Sequence, residues 1–104
     1  MADLEALRQV FASGTYLFTA RASDRPAERG IVSHEIEVAV ATGEVIEDYA
    51  EDKYGPSCLI LGRAESGRVL HVQVSYPPAV KIITVYEPSP EEWDAEFRVR
   101  RSNE

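Results

Sequence analysis

Leu4, Leu7, Val10 and Phe11 recur at the three- and four-residue spacing of one helix face, with Asp3 placed to cap the start and Gly14 to stop the end. This predicts a short amphipathic helix. Thr15 to Phe18 is too brief to show a period, but its β-branched and aromatic side chains fit an extended link or edge strand. From Ala20 to Gly30, alanine and arginine favour helix while Pro26 removes an amide donor, so the segment reads as a kinked or divided helix ended by Gly30. Ser33 then offers another N-cap, and Val32, Ile36 and Val40 share a face before Gly43 closes a core helix over about 33–42.

After Gly43 the period shortens. Residues 44–49, 57–63, 68–75 and 80–87 are rich in Val, Ile, Leu or Tyr and bounded by Gly, Pro or charged residues, the pattern of four successive strands. Ala64-Glu65-Ser66-Gly67 and Tyr76-Pro77-Pro78-Ala79 carry turn chemistry, so an antiparallel meander is expected. Leu70, Val72 and Val74 alternate with His71, Gln73 and Ser75, which sends the apolar set into the core and His71 to the opposite, accessible face. Ser89, Pro90 and Glu92 compose the start of a short helix in which Trp93 covers a sheet edge. The expected fold is α+β: N-terminal helices packed on a four-stranded, mainly antiparallel meander with a short C-terminal helix, as a single domain over 1–104.

Composition narrows the function classes. No apolar run approaches the roughly 20 residues that cross a bilayer, and the N-terminus lacks the basic start of a secretory signal, so a cytoplasmic protein with no membrane partner is expected. A net charge of -7 argues against non-specific nucleic-acid binding, which neutralises phosphates with Lys and Arg, so any RNA role requires a local basic patch. The single Cys58, flanked by Leu59, Ile60 and Leu61, excludes an internal disulfide and reads as a small buried hydrophobe. His34 and His71 are far apart in sequence, leaving no paired-ligand spacing; no metal and no cofactor is expected. Nor is there a GxGxxG or GxxxxGK[ST] phosphate loop.

Two constellations remain. Arg21, Arg25 and Arg29 are spaced by four, so an unbroken helix would stack three guanidinium groups on one phosphate-binding face, or pair them with Asp24, Glu28 and acidic strands. His71 and Tyr86 sit on separate predicted strands, with Thr84 beside Tyr86. Histidine, tyrosine and arginine together can cleave RNA without metal: a base takes the 2′-hydroxyl proton, a cation stabilises the phosphorane, and an acid protonates the leaving oxygen. The alternative is that His71 and Tyr86 are half-buried sheet residues bonded to backbone.

The blocks Ala27-Glu28-Arg29-Gly30-Ile31, Gly43 to Tyr49, Gly55-Pro56-Ser57, Leu70-His71-Val72 and Ile82 to Pro88 occur in an order that resembles the bacterial family called domain of unknown function 4258, over roughly residues 16–93. The resemblance implies a RelE-like architecture, a toxin-type ribonuclease activity, and a YgiT-type zinc-finger antitoxin as partner. It further implies His71 and Tyr86 as catalytic residues, with Arg21, Arg25, Arg29 and Thr84 binding RNA phosphate. The family usually carries Ser-x-His-Ala before its first arginine, whereas this chain reads Thr19-Ala20-Arg21-Ala22; arginine stays protonated and cannot shuttle a proton, which implies a weakened or inactive enzyme. The competing expectation is a non-enzymatic protein-binding module acting through a sheet edge or the N-terminal helix, with self-association among its outcomes.

Overall fold

The computed structural model describes residues 4–14, 16–18, 30–51, 55–76 and 80–100. Helix α1 (Leu4–Ser13) buries Leu7 and Phe11, with Leu4 and Val10 packed against the same core, as the periodicity demands. Gly14, at φ 74°, donates to the Phe11 carbonyl and turns the chain out of the helix. Strand β1 (Leu17–Phe18) follows, then α2 (Ser33–Thr42), β2 (Glu44–Tyr49), β3 (Ser57–Arg63), β4 (Val69–Ser75) and β5 (Lys81–Tyr86).

The sheet order is β1-β5-β4-β3-β2. Strands β2 to β5 form the expected antiparallel meander, and the fold is α+β; the brief β1 adds a parallel edge beside β5. The β3–β4 turn is closed by Gly67 donating to Ala64 (2.9 Å) and Ala64 donating to Arg68 (2.9 Å).

Helix α2 lies against β3 and β4 and buries Ile36, Ala39 and Val40. With Cys58, Ile60, Leu70, Val72, Val74, Ile82 and Val85 these side chains build the core between helices and sheet. Each buried Val, Leu or Ile among them contributes about 1.5–3 kcal/mol through burial. Val32 departs from the expected face: it is 58% exposed and occupies the cap position of α2. Its amide donates to Glu35 Oε1 (3.1 Å), so the cap comes from Glu35 reaching back rather than from Ser33. At the other end of α2, Arg8 of α1 donates to the carbonyls of Val40 (3.4 Å) and Gly43 (2.9 Å), placing positive charge at the helix C-terminus.

The expected C-terminal helix does not form. Ser89 accepts from Glu91, Glu92 and Trp93, making one turn. Asp94 Oδ1 then accepts from the amides of Glu96 (3.1 Å) and Arg98 (3.0 Å), and Asp94 and Val99 join by their backbones (2.9 Å). A side chain that satisfies local amides in this way competes directly with helix propagation. Residues 94–99 therefore fold back as a tight loop, and Trp93 bridges to Arg100. The kinked helix expected over 20–30, apart from Gly30, lies outside the described residues, as do Asp3 and Pro77 to Ala79.

Candidate functional site

The sheet face opposite the helices is organised by strand register. Glu44, Leu61, His71 and Tyr86 are successive cross-strand partners in one row, and Glu47, Leu59, Gln73 and Thr84 form the next. Register thus places His71 directly beside Tyr86, and Thr84 beside Gln73. A β-bulge at Gln73/Val74 sets this alignment by admitting Ile83 as an extra residue in β5.

His71 is on the predicted face, but it is not accessible: its relative exposure is 0%. The C-terminal segment covers it. Trp93, itself 1% exposed, meets the imidazole edge-on with ring centres 4.3 Å apart, and covers this sheet face rather than an edge. Leu59 is buried on the same face, outside the helix-side core, so the sheet has a second, smaller apolar layer beneath this segment.

Both imidazole nitrogens are engaged. Nε2 lies 2.8 Å from the Phe97 carbonyl, which only accepts, so Nε2 carries the proton. Nδ1 is then the acceptor for the Tyr86 hydroxyl, at 3.2 Å. Burial holds the His71 pKa below its ordinary value, against the Phe97 carbonyl and the nearby Glu47 carboxylate, which favour the charged form; Arg100 opposes it. The imidazole is neutral at pH 7.

This arrangement fixes a stability prediction. The unfolded chain takes a proton on His71 near pH 6.5, whereas the fold resists doing so until lower pH. The contribution is therefore complete above pH 6.5 and is lost as pH falls from there through the depressed folded value. Urea midpoints measured across that range are expected to fall more steeply for the wild type than for His71→Gln. Parallel profiles would refute the assignment.

Around this centre, the arginines of the C-terminal loop reach the ends of the two rows. Arg98 pairs with Glu44, and Arg100 donates to both Glu47 oxygens (3.2 Å each) while its guanidinium lies 4.6 Å from the Trp93 ring centre. Tyr49 donates to Glu47 and is pushed up to about 12 by burial and that carboxylate. Beside it opens a cleft of about 660 Å³ lined by Asp48, Tyr49, Ala50, Glu51, Gln73 and Arg100. Gln73 donates to Ser57 Oγ (3.1 Å), leaving polar surface at the cleft wall.

Of the residues singled out in the sequence, His71, Tyr86 and Thr84 thus come together on one face, while Arg21, Arg25 and Arg29 lie outside the described residues. Trp93, Phe97, Arg98 and Arg100 surround the centre, although the sequence pattern in this stretch points only to a sheet-covering tryptophan. Cys58 is fully buried and its thiol is pushed up to about 12 by burial, as a core residue rather than a nucleophile. His34 is exposed and meets Glu65. Among the described residues no cluster of histidine, cysteine and carboxylates could hold a metal ion, and no helix is long and apolar enough to cross a membrane.

No curated protein and no solved structure matches the chain. Residues 18–87, more than half of its length, match the family model described as Domain of unknown function (DUF4258), and the chain belongs to that family.

Proposed function

We propose that this protein is a metal-independent ribonuclease of toxin-antitoxin type, weakened by Arg21 in place of the family's histidine, acting in the cytoplasm on RNA with His71 and Tyr86 as its proton-transfer pair. The observation that supports the reading is the 3.2 Å hydrogen bond between Tyr86 and the neutral imidazole on adjacent strands, a donor and an acceptor held together. In the proposed reaction the 2′-hydroxyl gives its proton to the pair as its oxygen attacks phosphorus. The bond to the 5′-oxygen breaks, and that oxygen takes a proton back from the pair. The products are a 2′,3′-cyclic phosphate and a free 5′-hydroxyl. Arg21, Arg25 and Arg29 supply the positive charge for the phosphorane and Thr84 a hydroxyl for a phosphate oxygen. An antitoxin is the expected protein partner.

The complete burial of His71 favours a second reading, in which the centre is structural and the protein binds another chain through a sheet edge or α1. Induced expression separates the two. The wild type is expected to arrest growth with cleavage of total RNA, and Tyr86→Phe, which removes only the hydroxyl, and Arg29→Ala are expected to relieve both. Unimpaired growth with intact RNA, at confirmed soluble expression, would sink the ribonuclease reading and leave the binding module.

A further inference from the structure

We infer that the loop 94–100 is a hinged cover over His71 that swings about Trp93 and controls access to the imidazole Nε2. The inference rests on the ribonuclease reading only for what the cover guards; the movement itself rests on the loop. Three observations carry it.

First, the loop is braced within itself. Asp94 accepts from Glu96 and Arg98, its amide donates to Val99, and its carbonyl accepts from Phe97, so the segment can move as one piece. These amide donors also hold the Asp94 carboxyl below the usual carboxylate range.

Second, its attachments to the sheet are few and mostly exposed. Among the described residues they include the Arg98–Glu44 and Arg100–Glu47 ion pairs, the Arg100–Tyr49 hydrogen bond and the bond from His71 Nε2 to Phe97, while Arg100 is tied to the hinge itself by its bridge to and stacking on Trp93. Exposed ion pairs hold weakly. Trp93, in contrast, is sealed against the sheet and is the natural fixed point.

Third, the residue that closes on His71 takes its conformation from the loop itself, its amide donating to the Asp94 carbonyl. Phe97 is the one non-glycine among the described residues with positive φ, 61°, in the left-handed region that side chains disfavour. Because that conformation belongs to the loop, opening carries the Phe97 carbonyl away intact and frees Nε2 in one movement.

The test uses the whole chain in a His34→Gln background, where His71 is the sole histidine. Carbethoxylation of His71 by diethyl pyrocarbonate, followed by peptide mass, reads the open population, and acrylamide quenching of Trp93, the sole tryptophan, reads whether the hinge has come loose. Glu47→Ala/Arg98→Ala, which breaks both ion pairs and leaves Arg100 on the Trp93 ring, is expected to raise the His71 modification rate several-fold with Trp93 quenching unchanged. An unchanged rate would overturn the cover. So would a rise matched by equal exposure of Trp93, since the whole C-terminal segment would then be leaving. Purified RNA incubated with the same two proteins keeps the readings apart. Faster cleavage by the open variant supports both, and faster modification with RNA intact supports the cover while ending the ribonuclease reading.

Discussion

Gly62→Ala is expected to destabilise the protein by about 3 kcal/mol or more, a large share of the stability of a small domain. A Cβ on Gly62 of β3 would stand 2.0 Å from the Ala39 carbonyl oxygen and 2.6 Å from its carbon. Both atoms are helix backbone, so no side chain can rotate away; α2 would have to lift from the sheet and uncover Ile36 and Val40. Gly67→Ala is the control. Nothing lies within 4 Å of its Cβ, but φ is 92°, so it should cost only about 1 kcal/mol through backbone strain. Urea denaturation of the two variants separates the effects. Equal midpoints would mean that close approach of α2 is not what Gly62 provides.

The second large effect is at His71. His71→Ala removes the acceptor for Tyr86, the donor to Phe97 and the ring beneath Trp93, and should cost about 2–4 kcal/mol. His71→Phe keeps most of the volume and loses only the polar partners, so it should cost about 1–3 kcal/mol. If His71→Ala were as stable as the wild type, the buried pair would not be a structural centre. Stability is the measurement to make before activity, because loss of function in an unfolded variant says nothing about proton transfer.

The helices and the meander could be read in the sequence because each has one buried face. Leu7 and Phe11 mark that face in α1, and Leu70, Val72 and Val74 mark it in β4. Alternation also identified the side of the sheet on which His71 lies. It could not tell what covers that side, since a strand's period reports orientation and not its neighbours. Trp93 was visible as a cover, yet its target depended on Asp94 diverting the chain from helix to loop, a competition among hydrogen bonds that hydrophobic pattern does not register. Likewise, the bulge at Gln73/Val74 decides which residue of β5 stands beside His71, and a one-residue shift would have brought a core-facing side chain there instead of Tyr86.

The pairing of β1 with β5 also has a bearing on how the protein is made. Leu17 and Phe18 align with Lys81 and Ile82, so the strand that precedes α2 has its partner in the last strand of the sheet. During synthesis the N-terminal helix and the β2–β4 hairpins emerge while that partner is still within the ribosome. The sheet cannot be completed until β5 has emerged, and closing so long a span is slow compared with forming the hairpins. Until then the chain has an unpaired β4 edge and an apolar Leu17–Phe18 segment, the kind of open strand edge that pairs wrongly with other chains.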